Sequence, residues 1–566
     1  MRYERSGFQK KKQVLSLFLA GVLALSLFGC FAQPAEESVP RSSPAETAGS
    51  SSTGVVEELK IGTLTAPEVF NMSNDDSAFG RMNYTSFCAA PLLEFDANNM
   101  AQPYLMTSWE VSEDNCEIIA TFAVDQGITW HDGEPLTMDD IIFSLDYLPN
   151  VAGHSHMQAI DEVEQLDETT LRIHFDSPSA FLFLNNCMSV WPIPKHIWEG
   201  IEDPDAYAEP DAAVGCGPYR FVRFDEEAQT MYYEAVGESY MGRPLTVQSV
   251  TVRTYDSSDA LIMALRSGEV DAMYNYSTSI SATQLDSITG VEGLDPGMSN
   301  KPGCYQLVFG FQAQPTDDLA FRQAVSKALD YELLAVSIGG KDAQVPGAGF
   351  IPPSNLGYDA ELPQLAQDVE AAKTILDEAG YADTDGDGWR ELPDGSAMEV
   401  LLTPQVTKTT QSLYLRMAEI IQSNLADVGV KVILDEESVR NSDHQTEVRR
   451  SLKYELYLGA TSAGVAQYRT GFYYMIDTPE FPGWGSCNIP EYSEAYRAVF
   501  FSSSYDEYLE NIKNMQELNA EQLFGISLCW EKCYFPYRTD RYEGWNNYPG
   551  RGVINNSTWY NLRPIA

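Results

Sequence analysis

Positive charge is what this 566-residue chain lacks most: 36 Lys+Arg stand against 82 Asp+Glu, a formal net charge of −46 at pH 7. Taking away the five basic residues and Glu4 of positions 1–29 leaves 31 Lys+Arg against 81 Asp+Glu, or −50. A body so charged repels phosphate backbones and anionic lipid, which excludes nucleic acid and lipid headgroups as partners. The acidity is spread along the chain and reads as a solvated surface, with cationic ligands a second option. Histidine is scarce as well, at six residues. Neither His-Glu-x-x-His nor Gly-x-Ser-x-Gly occurs, so the common hydrolase templates are missing. Beyond Phe28 no apolar run approaches the roughly 20 residues that a membrane-spanning helix needs, and that part of the chain is expected to be soluble.

The apolar run that does occur lies at the start. Arg2, Arg5 and Lys10-Lys11-Lys12 precede Val14 to Phe28, the basic and apolar segments of a secretory signal over residues 1–29. Leu27-Phe28-Gly29-Cys30 resembles a bacterial lipoprotein box, with Phe28 where a small or polar residue is usual, and makes Cys30 the expected lipidation site. An ordinary secretory signal is the alternative; as an uncleaved anchor the run is short. Residues 30–56, rich in Ala, Ser, Pro, Glu and Thr and without apolar periodicity, predict a disordered tether spanning roughly 25–30 Å. Nine cysteines are present. An exported chain permits disulfides, but a chain that is 44% hydrophobic builds a core large enough not to require them. Cys529 and Cys533 look paired by spacing, yet a strand over Ile526 to Tyr534 separates them by about 13 Å, too far to bridge. No pairing is assigned.

Gly127 to Ile141 organises the reading of the folded body. Ile128 and Trp130 suit a strand, Asp132-Gly133 is a turn dipeptide, and Thr137 stands three residues before Asp140 at capping-box spacing, ahead of Ile141, Ile142 and Leu145. Other segments follow in order: Ile193-Pro194-Lys195-His196, Gly215-Cys216-Gly217-Pro218-Tyr219, Leu265-Arg266-Ser267-Gly268-Glu269-Val270-Asp271, Phe321-Arg322-Gln323-Ala324 with Ala328-Leu329-Asp330, and Gly349-Phe350-Ile351-Pro352-Pro353. Phe321, Ala324, Val325, Ala328 and Leu329 share one helix face. Leu413, Met417, Ile420, Ile421, Leu425 and Val428 repeat the pattern, Gly429 stops it, and Val430, Val432 and Leu434 alternate as a strand. Helix, stop and strand of this kind build sheets covered by helices, an α/β body.

Across residues 57–545 this order of segments resembles the family 5 extracellular solute-binding proteins of bacterial ABC importers, which include the oligopeptide- and dipeptide-binding proteins. Trp130 takes a place usually held by Phe, and Cys216 one held by Thr. The resemblance implies a two-lobed periplasmic-binding-protein-like fold (class II, large type) with the ligand cleft between the lobes. It places the first lobe at 57–304 with an extra subdomain at about 90–213, the second lobe at 305–520, and a C-terminal return to the first lobe at 521–566. It also implies a monomeric, extracytoplasmic lipoprotein, anchored to the cell membrane through lipid alone, that hands a solute to ABC permease subunits. Oligopeptide is the modal cargo, with oligosaccharide or nickel as other cargoes; a ligand sensor or a secreted hydrolase is the reading from another class.

Candidate sites follow from these readings. His131 beside Asp132 has catalytic chemistry, but its turn recurs across a family of binding proteins, so no catalytic residue is assigned and no cofactor is required. Asp383, Asp385 and Asp387 offer oxygens at alternate positions; with Glu391, and Asp394 at the twelfth place, they form a candidate structural Ca²⁺ loop. An acidic turn after the helix Val369 to Ala379 is the competing reading. His154-x-His156 is a candidate transition-metal pair. In peptide-binding relatives an Asp of the second lobe pairs the ligand's amino terminus. The corresponding stretch here, Tyr457 to Gly464, carries no acid, which argues against that mode. Trp484, Tyr474 and Thr461 in the second lobe, with Tyr274 and Asn275 in the first, are the candidate cleft residues.

Overall fold

Four of the five residues of Leu59–Thr63 are buried, as for a strand with neighbours on both edges and cover on both faces. In the computed structural model, which describes residues 54–566 apart from 75–76, 99, 155–156, 158–159, 276–278, 313, 408–409, 453, 462–488 and 566, this strand is parallel to Ser249–Thr254 on one side and Ala272–Met273 on the other. It sits within a seven-stranded sheet ordered Leu294–Asp295, Tyr537–Arg538, Ala272–Met273, Leu59–Thr63, Ser249–Thr254, Thr230–Ala235, Tyr219–Asp225. A four-stranded antiparallel sheet, Met106–Val111, Glu117–Phe122, Thr170–Phe175 and Ile160–Gln165 in spatial order, buries alternate residues as a one-faced sheet must. Ile118, Ala120, Leu171 and Ile173 join the same core as Leu59 and Ile61, so both sheets belong to the first lobe.

The second lobe is a five-stranded sheet ordered Lys431–Leu434, Glu399–Pro404, Leu456–Ala460, Tyr305–Phe309, Gly525–Cys529. Strand alternation sends Leu307, Phe309, Leu456 and Leu458 to one core with Phe321, Ala324, Val325, Met417, Ile421 and Leu425. Those last six come from the two helices, Leu319–Ala328 and Gln411–Ala426, whose apolar spacing marks them in the sequence. Val308 and Tyr457 face the other way, against Tyr492, Val499, Tyr508, Ile512 and Met515 of the helices Pro490–Phe500 and Tyr505–Gln522.

The chain passes between the lobes on adjacent strands. Met298–Asn300 pairs antiparallel with Lys532–Tyr534, and just beyond, Tyr305–Phe309 pairs antiparallel with Gly525–Cys529. Gly525–Cys529 therefore completes the second lobe's sheet, and the return to the first lobe begins after Cys529 rather than at residue 521. The single strand expected over Ile526 to Tyr534 is divided at Trp530-Glu531, where the chain changes sheets. Cys529 and Cys533 thus lie in different sheets, and the seven cysteines among the described residues are all free.

The sequence landmarks meet in space. Thr137 N donates to Asp140 Oδ2 at 2.9 Å, completing the capping box of Met138–Asn150, and Asp140 Oδ1 accepts from Lys195 N at 3.0 Å. Ser144 Oγ bonds both ways with the Ile193 backbone, and His131 N donates to Gly215 O at 2.9 Å. The strand expected at Ile128 and Trp130 is reduced to one bridge, Thr129 to Pro135, because Trp130 N is taken by Glu134 O inside the turn and His131 N by Gly215 O. The Gly215 and Gly217 positions admit no side chain: a Cβ at either would lie 2.1 Å from a carbonyl oxygen, Cys88's or Phe87's. Asp271, 1% exposed, accepts from Lys60 N at 3.0 Å and from Arg541 Nη1 at 2.8 Å, tying the C-terminal segment to the central strand. Arg322 is equally buried; it donates to the carbonyls of Thr316, Asp317 and Gln522. Each landmark side chain satisfies backbone groups that burial would otherwise leave unpaired.

Two outcomes follow. Asp271→Ala strands the Lys60 amide and removes the Arg541 partner, and should lower the unfolding free energy by about 3 kcal/mol; Asp271→Asn, which keeps an acceptor, should lose less. Denaturant titration measures both. His131 is held neutral: burial lowers its pKa to about 4 against the rise from its bond to Gly217 O. The unfolded state then binds the extra proton between its ordinary value near 6.5 and about 4. The contribution of neutral His131 is complete above pH 6.5 and is lost as pH falls through that window. Stability measured across it should fall less steeply in His131→Gln than in the wild type.

Candidate functional site

Ligands of open parallel sheets sit off the carboxyl ends of the strands. In the first lobe those ends are Thr63, Thr254 and Met273; in the second they are Pro404, Leu434 and Ala460. One end of each set, Met273 and Ala460, lies beside the crossing strands. Tyr305 at the start of its strand faces Ala460, and Thr461 N donates to Cys304 O at 2.9 Å. On the first-lobe side, the segment that leaves Met273 returns to the crossing through Ile280 N, which donates to Tyr534 O at 3.2 Å. The space between the two sets of strand ends is the candidate binding cleft.

Asn275 and Thr461, two of the candidate cleft residues, stand at these ends, and their side chains are drawn into the scaffold. Asn275, 3% exposed, accepts from Thr63 Oγ1 at 2.7 Å and Leu64 N at 3.0 Å. It thereby fixes the turn by which the chain leaves the central strand. Tyr274 OH donates to Arg81 O at 2.7 Å. Thr461 Oγ1 accepts from Cys304 N at 3.1 Å, closing the joint between the second sheet and the crossing. The polar groups of these three side chains are bonded within the scaffold. Trp484 and Tyr474 lie outside the described residues, as do Cys30 and His156; His154 Nε2 lies 3.4 Å from Ser73 O.

Sequence reasoning missed the groups on the crossing itself. Lys301 Nζ pairs with Glu531 Oε2 at 2.5 Å, Lys301 N donates to Glu531 O at 3.0 Å, and the ammonium lies 5.4 Å from the Tyr305 ring centroid. Burial alone would lower the Lys301 pKa, but the Glu531 carboxylate and the Tyr305 ring carry it above its ordinary value. Tyr305 packs edge-on against Tyr414 with centroids 5.7 Å apart, and burial raises both phenols. Glu531 was hidden inside what reads as an uninterrupted strand.

Four of the five acids of the candidate Ca²⁺ loop come together. Asp383, Asp385, Asp387 and Glu391 gather, with one carboxylate oxygen from each within 4.8 Å of the others. They are ordered by backbone donors: Gly386 N and Gly388 N to Asp383, Asp387 N to Asp385, Trp389 N to Asp387, and Thr384 N to Glu391. Asp394 is not in the group. Its Oδ1 accepts from Ser396 N at 2.9 Å and Ser396 Oγ at 2.6 Å, because the chain reverses there and brings Glu391 into a bridge with Ala397. Glu391, at the ninth position of the loop, is the last member instead. An all-oxygen donor set of this kind fits a hard cation such as Ca²⁺.

Comparison with known proteins agrees with this geometry. Oligopeptide-binding protein AppA of Bacillus subtilis is 24% identical over 457 residues, covering 75% of this chain and 76% of AppA. Among solved structures, HbpA2 from Haemophilus parasuis superposes with a TM-score of 0.75 at 17% identity, over 90% of this chain and all of that one. A periplasmic oligopeptide-binding protein of Thermotoga maritima with bound mannohexaose superposes at 0.65 and 19% identity, over 90% of this chain and 98% of its own. Residues 101–481 match the family model for the bacterial extracellular solute-binding proteins, family 5. The chain belongs to that family of two-lobed, extracytoplasmic solute-binding proteins of ABC importers.

Proposed function

We propose that the protein is a lipid-anchored receptor that captures an oligopeptide between its lobes and delivers it to the permease subunits of an ABC importer. The family match over residues 101–481 carries the reading, and the relative named for oligopeptides favours that cargo. A ligand touching both sets of strand ends stabilises the closed form by its differential affinity for it. Binding leaves the cargo chemically unchanged: no step asks for a nucleophile, and His131, beside Asp132, is spent holding the Gly215–Gly217 turn. An oligosaccharide is the second reading, favoured by the mannohexaose held by a structural neighbour and by a Tyr457–Gly464 stretch without an acid to meet a peptide's amino terminus. The acidic loop, by this reading, takes Ca²⁺ as a structural ion remote from transport.

A thermal-shift screen of the mature protein against peptides, oligosaccharides, nickel and calcium tests cargo and ion together. At a hundredfold excess over Kd a ligand adds about 2.7 kcal/mol to the folded state. Peptides should raise the melting temperature and remain intact. A shift with oligosaccharides alone corrects the cargo, and consumption of the ligand removes the receptor reading. Calcium should raise the melting temperature of the wild type but not of Asp385→Asn/Asp387→Asn. Fractionation of cells tests the anchor: Cys30→Ser should move the protein from the membrane fraction to the soluble or secreted one.

A further inference from the structure

Away from the crossing strands, the lobes touch again. Asn115 lies in the turn between Met106–Val111 and Glu117–Phe122, at φ +57, a left-handed conformation that asparagine tolerates better than most residues. It is 3% exposed. Its carbonyl accepts from Ala180 N at 3.0 Å and its Oδ1 from Phe181 N at 2.9 Å, which fixes the start of Ala180–Asn186. Its Nδ2 reaches into the other lobe, donating to Phe501 O at 3.2 Å and Ser502 O at 3.1 Å. Those are carbonyls at the end of Pro490–Phe500, where a helix leaves acceptors unpaired.

Phe181 and Tyr505 complete the contact. The Phe181 side chain is 5% exposed and belongs to the second lobe's aromatic cluster rather than to its own lobe's core. It packs edge-on against Tyr505 with centroids 4.9 Å apart and lies 6.4 Å from Tyr508. Tyr505 OH donates to Asn185 Oδ1 at 3.1 Å and accepts from Ala101 N at 3.4 Å. Asn115 Nδ2 and Tyr505 OH are both satisfied across the gap between lobes. Separating the lobes would hand each to water and uncover Phe181.

We propose that this contact is a latch that holds the ligand-free protein in its closed arrangement and so sets the fraction of molecules competent to retain a ligand. Two bodies joined by a pair of strands cannot rotate apart while Phe181 and Asn115 stay seated on the second lobe. The latch therefore acts against opening, and the apparent affinity for cargo scales with the closed fraction it maintains. The proposal rests on lobe closure as the binding motion but not on the identity of the cargo.

Small-angle X-ray scattering of the full mature chain without ligand tests it, since no cargo is involved and a failed cargo screen leaves the result interpretable. Phe181→Ala should scatter with a larger radius of gyration than the wild type, and Tyr505→Phe, which keeps the ring and removes both hydroxyl bonds, should fall between them. Hydrogen exchange in the same samples should quicken at the amides of 101 and 180–181, with cooperative thermal unfolding retained as proof that the variants fold. If the variants fold and exchange faster at those amides while their scattering matches the wild type, the subdomain travels with the second lobe and the latch is overturned. A wild type already as extended as Phe181→Ala would overturn it equally.

Discussion

The double crossing between the lobes is the constraint on which the rest depends. Two strands enter and leave the second lobe side by side, paired through Met298–Asn300 with Lys532–Tyr534 and again through Tyr305–Phe309 with Gly525–Cys529. Backbone pairing fixes the crossing as a ribbon, and a ribbon bends more readily than it stretches. Between the paired stretches lie Lys301 to Cys304 and Trp530-Glu531, where the Lys301–Glu531 ion pair and one backbone bond replace the ladder. Bending concentrated there moves one set of strand ends against the other.

Elsewhere in the fold, buried polar side chains tie one segment to another. Asp140, Asp271 and Arg322 are each nearly solvent-free, and each is aimed at backbone groups of a separate segment. A charged group in such a place is tolerated only when its bonds are made. Asn275 and Thr461 do the same at the strand ends, tying the borders of the candidate cleft to the scaffold. Borders tied to the scaffold and a joint without a continuous ladder suit a binding protein, because the energy of ligand contact then goes into closure rather than into ordering the site.

Much of the scaffold was legible in residue order. The helix periodicity at Phe321–Leu329 and Leu413–Val428, the capping box at Thr137 and the stop at Gly429 depend on neighbours within a few positions, and local physics decides them. The glycines at 215 and 217 were legible as a turn, although the close approach of Cys88 and Phe87 that demands them was not. Less of the candidate site was legible. The acidic loop was read as far as Glu391, but its reversal at Asp394 places that carboxylate elsewhere. The break at Trp530-Glu531 was invisible, because the apolar alternation on either side is that of one strand.

By itself, then, the sequence determined the α/β class, the helix faces and the scaffold turns, all of which rest on spacing along one segment. Only the tertiary structure decided which sheet each strand joins, that Asn275 and Thr461 are consumed by Leu64 and Cys304, and that Asn115 and Phe181 are seated on the opposite lobe. Those are pairings between residues from about 150 to nearly 400 positions apart. They are set by competition among buried donors and acceptors across the whole molecule, which no local pattern encodes.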